Sequence, residues 1–362
     1  MVRAGGESPA CLRVERAGAQ DLLVTEASRG GLRFGLSEGG PWDLPAYRGA
    51  VARLESALGS DVEVQDCRTG AIAPTCLELT VSGPVLAVET AETEGSGPGA
   101  TVGWAVVTGG FHAEAGGVTV PPGKVFPLRA GERIVCRRDR GVRGYLGVAG
   151  GLAIAPVLGS SGADLPAGLP GVLGRPLRNG DRLLLPPRTR RGDVGGVPGG
   201  PTANLPPEWG ISLPMMCPGP DGLEAACLRV LPGPHLPRLP RELRRVLLAQ
   251  VWTVTPQANR VGLRLTGERL PLDEGLLGSL PSEPTVLGTV QLPPDGLPLI
   301  LGPDRGSLGG YLKVLTVAGG DVFRLAQVRP GMRIRFVPAL RSWAGRDRTR
   351  VLAEAKVAVS AG

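Results

Sequence analysis

The chain has 362 residues, 42% of them hydrophobic and 20% charged, with a formal net charge of +7. That length accommodates two domains with their own cores, and the apolar share is too high for a chain disordered throughout. With 57 glycines, 36 prolines and only 4% aromatic residues, short strands joined by many turns around aliphatic cores are expected.

The charge is carried almost wholly by arginine; the lysines are Lys124, Lys313 and Lys356. No arginine run is interleaved with aromatics, so nothing points to nucleic acid. No window reaches the apolar length of a membrane span. The cysteines are Cys11, Cys67, Cys76, Cys136, Cys217 and Cys227. None forms a Cys-x-x-Cys pair, and His112 and His235 lie far from them in sequence, so no metal site is expected. Met1–Pro9 lacks the apolar core of a signal peptide. A soluble cytoplasmic protein with reduced cysteines is the expectation.

In chain order, Cys11–Val14 and Asp21–Thr25 read as strands. Asp43 can cap an amphipathic helix over Pro45–Leu58, with Ala46, Ala50, Leu54 and Ala57 on one face. Strands follow at Leu77–Val81, Leu86–Glu89, Gly103–Thr108, Ile134–Arg137 and Gly144–Leu152, then a small-residue loop over Ala155–Leu165. Residues 186–225 are dense in Pro and Gly and read as a linker. Beyond it come a strand at Cys227–Leu231, a helix from Pro240 to about Gln250, and a half-exposed strand at Asn259–Leu265.

The segment Glu283–Phe336 is the richest. Thr285–Leu292 and Leu297–Leu301 are strand-like and separated by Pro293-Pro294-Asp295-Gly296, which is hairpin-turn chemistry. A glycine-rich loop, Asp304–Gly310, leads into a strand at Tyr311–Val317. Asp321 can cap a helix over Val322–Val328, and a last strand covers Met332–Val337. Gly310-Tyr311-Leu312 with Val317–Gly320 echoes Gly144-Tyr145-Leu146 with Val148–Gly151. An Arg-x-Gly-x-Arg cassette precedes a strand three times, at Arg129–Arg133, Arg178–Arg182 and Arg329–Arg333. These repeats predict two related β-rich domains. Their expected extents are 10–185 and 226–340, with 341–362 as a tail.

Charged and polar residues cluster on the loops: Asp304 and Arg305 border the central loop, Asn259 and Arg260 open a strand, and Arg29 and Asp43 lie in the N-terminal glycine-rich region. An arginine beside a carboxylate either fixes a loop or orients an anionic group through its bidentate fork. Gly306, Gly309 and Gly310 leave the central loop without bulk, so that a ligand or another chain can approach closely. If Arg305 serves such a site, its replacement by alanine weakens binding and leaves stability nearly unchanged; if it only fixes the loop, the same change lowers the melting temperature and leaves binding intact. No phosphate-cradling loop and no Gly-x-Ser-x-Gly elbow occurs. His112 and His235 read as surface or turn residues, and no catalytic residue is assignable.

Several motifs together carry a resemblance. They are Gly144-Tyr145-Leu146 with Ala149-Gly150-Gly151, Val157-Leu158-Gly159-Ser160, Asp164-Leu165, Leu231-Pro232-Gly233-Pro234, Asn259-Arg260-x-Gly262, Gln291-x-Pro293-x-Asp295-Gly296 and Asp304-Arg305 with Gly309-Gly310-Tyr311. As an ordered set they resemble the allophanate-hydrolase-subunit-2 family. That family includes the C-type component of 5-oxoprolinase, the antagonist of a sporulation-kinase inhibitor, and part of the carboxyltransferase domain of urea carboxylase.

The resemblance implies a mainly β fold with a few helices, as two cyclophilin-like β-barrel domains in tandem. It implies a C-type subunit of an ATP-dependent 5-oxoprolinase, a hydrolase opening a lactam or amide, or of a related carboxyltransferase. Such a subunit works with a B-type partner, and with an A-type partner where there is one. No cofactor is expected to be covalently bound, and ATP is expected only through the assembled complex. The alternative is a non-catalytic partner that sequesters a B-type protein. The departures favour that alternative. Thr25–Gly31 and Gly39–Asp43 keep little of the family's polar N-terminal motifs, Ser161-Gly162-Ala163 replaces Arg-Ser-Thr, and Gly306-Ser307-Leu308 replaces Gln-Thr-Thr.

Overall fold

The computed structural model describes residues 10–26, 29–58, 74–90, 97–185, 211–273 and 280–339. Of the expected linker, 186–210 lie outside the described residues, as does the expected tail 341–362. The chain forms two compact units, Met1–Leu213 and Pro214–Gly362.

In the first unit, β1 (Cys11–Arg16), β4 (Val85–Glu89), β6 (Phe111–Ala115), β7 (Val118–Val120), β9 (Arg133–Arg138) and β11 (Arg182–Leu184) form a sheet ordered β11-β1-β4-β9-β6-β7. A second sheet, ordered β2-β3-β10-β5-β8, joins β2 (Leu22–Val24), β3 (Cys76–Thr80), β5 (Thr101–Gly109), β8 (Val125–Arg129) and β10 (Arg143–Val148). Both contribute to one aliphatic core that includes Leu12, Leu79, Leu86, Val107, Phe111 and Leu146. The chain passes from one sheet into the other at Gly109-Gly110. Gly109 has φ +73°, and a Cβ on Gly110 would lie 1.9 Å from the Arg140 carbonyl oxygen, so the corner requires glycine.

The helix α1 (Leu44–Leu58) covers the other face of the second sheet. Ala50 and Leu54 pack on Val106, and Ala46 and Tyr47 on Tyr145. The neighbours Val107 and Leu146 point the opposite way, into the aliphatic core. Alternating side chains are therefore buried on both faces, and every residue of β10 is buried. Asp43 caps the helix as expected, accepting the Ala46 N–H at 3.2 Å. The expected apolar face ends early: Ala57 is exposed, and Tyr47 takes its place in the core.

The second unit contains a closed seven-strand barrel. Its order is β13 (Glu224–Pro232), β20 (Leu312–Val317), β17 (Thr289–Leu292), β18 (Leu299–Leu301), β15 (Gly262–Thr266), β14 (Trp252–Val254) and β21 (Arg333–Pro338). The parallel pairing of β21 with β13 closes the ring. α2 (Arg241–Ala249) buries Leu247 and packs on β21, while the Trp252 indole N–H donates to the Leu247 carbonyl at 3.2 Å. A two-strand ribbon, β16 (Glu283–Pro284) with β19 (Leu308–Gly309), stands apart from the barrel sheet. Both units are thus mostly β, as expected; the pairing that closes a ring is in the second, whereas the first is built from two packed sheets.

Several expectations need correction. Part of the expected linker is a strand, β12 (Met215–Pro218), paired with β13. Cys217 and Cys227 are disulfide-bonded across that pair, with Cα atoms 5.9 Å apart, so these two cysteines are not reduced. Asp321 opens the short helix α3 (Asp321–Arg324) but does not cap it: its fully buried carboxylate receives the Arg229 backbone N–H at 2.8 Å and the Arg229 guanidinium at 2.8 and 2.9 Å. Nor do the echoed tyrosines share an environment, for Tyr145 is wholly buried and Tyr311 is 47% exposed. A repeat that the sequence analysis passed over joins the units instead: Cys-Leu-Arg-Val occurs in β1 at Cys11–Val14 and in β13 at Cys227–Val230.

The Arg-x-Gly-x-Arg cassettes are three copies of one device. Gly131, Gly180 and Gly331 have φ of +81°, +90° and +81°, and the second arginine opens β9, β11 and β21 respectively. In each, the glycine N–H donates to a valine carbonyl on a neighbouring segment, Val88, Val14 or Val254. The same valine's N–H donates back to the residue after the glycine. A Cβ on these glycines would meet nothing within 4 Å, so conformation alone requires glycine. Gly180→Ala is therefore expected to cost about 1–2 kcal/mol, and Gly180→Asn clearly less, as read by urea unfolding. Equal losses for the two variants would refute this account.

Candidate functional site

In the first unit, the N-terminal glycine-rich segment and the 155–169 loop face each other across a small, solvent-open cleft. Its walls include Gly31, Gly39, Gly40, Leu158, Ser160 and Asp164. Asp164 joins the walls: one carboxylate oxygen accepts the Ser37 N–H and hydroxyl, both at 2.9 Å, and the other the Ala167 N–H at 3.0 Å. Leu158 stands on the rim, half exposed, with φ +51°, a left-handed conformation costly for leucine. The Ser161 hydroxyl is buried and bonded to that of Thr75 at 2.5 Å, which takes it out of the cleft. Arg29 opens a 3-10 turn, Arg29–Phe34, on the N-terminal side.

Asp43 does not line this cleft. It is fully buried and, besides capping α1, accepts the Ser212 N–H at 3.0 Å and the Ser212 hydroxyl at 2.7 Å. Behind it lies a polar network that the sequence analysis missed. The buried Glu78 carboxylate accepts the Tyr145 hydroxyl at 2.8 Å and the Trp42 N–H at 3.1 Å, with the Arg143 guanidinium 3.5 Å away and stacked over Trp42. The Asp43 N–H donates to the Tyr145 oxygen at 2.7 Å. Burial, then the nearby Glu78 and Asp43 charges, push the Tyr145 hydroxyl far above its usual pKa, so it serves as a fixed donor. The network clamps the Trp42-Asp43 turn to the sheet.

In the second unit, two of the four charged or polar candidates meet directly. Arg260 grips Asp304 in a fork, Nε to Oδ2 at 2.9 Å and Nη2 to Oδ1 at 2.7 Å, and both side chains are at most 2% exposed. The Asp304 N–H donates to the Arg260 carbonyl at 3.1 Å. This pair ties the start of the glycine-rich loop to the end of the turn before β15. Arg305 is also buried, its Nη1 donating to the Gly302 carbonyl at 3.4 Å. Asn259 is exposed and folds back on its own turn, accepting the Val261 N–H at 2.8 Å.

Gly309 brings the loop down onto a second missed group. Lys313, on β20, is only 4% exposed, and its ammonium donates to Glu283 at 2.9 Å and to the Gly309 carbonyl at 3.1 Å. A Cβ on Gly309 would lie 2.6 Å from the Gln291 side-chain nitrogen, so a larger residue there would push the Gln291 amide aside where the ribbon crosses it. His235, expected at the surface, is buried: its Nδ1 accepts the Lys313 backbone N–H at 3.0 Å, and its Nε2 is 3.4 Å from Glu283. Burial lowers its pKa, while the hydrogen bond from Lys313 lowers that of Glu283. No group of three or more His, Cys, Asp or Glu side chains suited to a metal occurs among the described residues. Nor is any described helix long and apolar enough to cross a membrane.

Residues 71–338 match the model of the carboxyltransferase domain, subdomains A and B. The chain belongs to this family. It is 32% identical over 332 residues to the C-type component of 5-oxoprolinase from Escherichia coli, a similarity covering 90% of both chains. It is 27% identical over 346 residues to the urea amidolyase of Saccharomyces cerevisiae, where the match covers 91% of this chain and 17% of the amidolyase. Among solved structures it resembles TTHA0988, with 34% identity and a TM-score of 0.65, spanning 57% of that longer chain. The urea amidolyase of K. lactis shares the fold, with a TM-score of 0.69 at 23% identity over 20% of its length.

The chain thus places its candidate residues in separate settings. Asp304, Arg305, Arg260 and Asp43 are buried, Gly309 lies in the ribbon with Gly310 just after it, and Asn259 closes a turn. For Lys313 a sequence signal existed: a lysine amid apolar residues, in a chain whose cations are nearly all arginine.

Proposed function

We propose that the chain is the C-type subunit of a 5-oxoprolinase-like complex that opens a lactam at the expense of ATP, with a B-type subunit as its direct partner. The observation that carries this reading is the match to the C-type 5-oxoprolinase component over nine-tenths of both chains. The matches to TTHA0988 and to the yeast amidolyase support it in another way. There the same unit occupies one part of a longer polypeptide, as expected of a component that works beside others. ATP enters through the assembled complex, since this chain has no phosphate-cradling loop.

A second reading, a non-catalytic partner that sequesters a B-type protein, draws on the burial of Ser161. The one hydroxyl in Ser161-Gly162-Ala163 is engaged with Thr75 and does not face the cleft. Co-expression with the B-type and A-type chains, co-purification, and an assay of ADP release with and without 5-oxoproline test both. The expected result is association and lactam-dependent ADP release only with all partners present. Association that abolishes a partner's activity would favour the second reading. Lactam-dependent ATP hydrolysis by this chain alone would refute both.

A further inference from the structure

The group at Lys313 has the composition of a receptor with its ligand already in place. Three donors converge. Lys313 and Gln291 are register partners on β20 and β17, so their side chains project side by side from one face of the sheet. Both meet the ribbon at Gly309: the Lys313 ammonium at its carbonyl oxygen, the Gln291 amide against its Cα. The third donor is His235. Its Nδ1 accepts the Lys313 backbone N–H, which leaves the proton of the neutral ring on Nε2, the atom that faces Glu283.

The Gln291 amide nitrogen is buried and has no hydrogen-bond partner among the described residues, although Gln291 is only 4% exposed. An orphaned buried amide is rare unless something absent from the structure completes it. The Glu283 carboxylate faces the other two donors, its Oε2 accepting from the Lys313 ammonium at 2.9 Å and lying 3.4 Å from His235 Nε2. Yet Glu283 is a poor fixture. Its side chain is 40% exposed, and it sits on a strand of two residues outside the barrel sheet. Lys313, at 5%, is held in place. An exposed carboxylate regains its hydration on leaving, so displacing it costs little, whereas the buried ammonium requires an anion.

We propose that Lys313, Gln291 and His235 form a binding site for the carboxylate of a small organic acid, and that Glu283 occupies this site until the ligand displaces it. The shape of the ligand group follows from the occupant, for a carboxylate already fits there. A ligand free of the ribbon's tether can also reach the Gln291 amide, which Glu283 leaves unpaired. Gly309 then acquires a purpose, since a side chain there would press on the Gln291 amide. The site is independent of the assembly reading; only the choice of 5-oxoproline as a probe rests on it.

The sequence contains two histidines, His112 and His235, so histidine labelled with carbon-13 gives two ring signals for the whole chain. We would titrate full-length protein, its Glu283→Ala variant and the Glu283→Ala/Lys313→Met variant with acetate, L-5-oxoproline and the neutral carboxamide of 5-oxoproline. Expected are saturable shifts of the His235 signal alone with the carboxylates and none with the amide. Affinity should rise about tenfold in Glu283→Ala, as loss of one competing charge-assisted bond would give. Binding should vanish when Lys313 is also replaced; methionine keeps the length and packs well, and thermal unfolding verifies folding. Acetate binding without 5-oxoproline binding would uphold the carboxylate site and count against the functional reading. No shift in either the wild type or Glu283→Ala, or an affinity unchanged or weakened by Glu283→Ala, would overturn the proposal.

Discussion

Replacing Asp304 with alanine is expected to destabilise the second unit by about 3–5 kcal/mol, the usual cost of removing one partner from a buried ion pair. The fork from Arg260 spans two bonds of 2.9 and 2.7 Å, and neither side chain is more than 2% exposed. Loss of the carboxylate would leave a guanidinium buried without this counter-charge, and desolvation is far costlier for a charge than for a neutral group. Asp304→Asn keeps the volume and one acceptor, so it should lose less. An Arg260→Met/Asp304→Leu double variant should recover much of the loss, because an apolar pair avoids both desolvation costs. Urea unfolding followed by Trp252 fluorescence would report it, and a single-variant loss below about 1 kcal/mol, the range of an exposed pair, would refute the buried-pair account. Arg305→Ala follows the same logic. Its side chain is buried, so of the two outcomes left open by the sequence the lowered melting temperature is the one expected.

What the sequence revealed and what it hid divide along a physical line. Features governed by a few consecutive residues were legible. The Asp43 cap with Pro45 in the first turn located α1 because cap geometry is local. Pro293-Pro294-Asp295-Gly296 located the β17–β18 hairpin, where Gly296 has φ +71°. The three arginine–glycine cassettes are legible for the same reason, since only glycine takes that φ cheaply. Pairings between distant residues were not. The β13–β21 pairing that closes the barrel joins segments over a hundred residues apart and leaves no periodic mark.

Buried charge was the other blind spot. In strands covered on both faces, alternation does not distinguish inside from outside. Glu78 in Cys76–Thr80 and Lys313 in Leu312–Val317 therefore look like interruptions of apolar runs, although each anchors a network. The family resemblance drew attention to the Asp304–Gly310 loop. It did not identify Lys313 beneath Gly309, because its motifs are mostly glycines that permit the approach rather than groups that exploit it.

A second large effect is expected from Asp21, which no functional argument uses. Its carboxyl is wholly buried, receives the Gly18 N–H at 2.5 Å on one oxygen, and has no partner among the described residues on the other. Burial pushes its pKa up to about 7, against the lowering effect of the Gly18 bond. The unfolded chain holds the same group near 4, so the folded state binds the extra proton between those values. Its contribution to stability is therefore full below about pH 4 and falls as pH rises through 7. By pH 8 about 4 kcal/mol is lost, since three pKa units are worth that much. His235 acts in the opposite direction, because burial lowers its pKa and stability gains as pH rises. The difference between wild type and Asp21→Asn isolates the aspartate from this opposing change. Asparagine still accepts the Gly18 N–H but cannot ionise. The variant should match or fall slightly below wild type at pH 5 and exceed it by about 2–3 kcal/mol at pH 8, the full difference being reduced by the new amide's unmet donor. Unfolding curves measured at both pH values decide the matter: a difference between the two proteins that does not change with pH would mean that Asp21 ionises as readily in the folded chain as in the unfolded one.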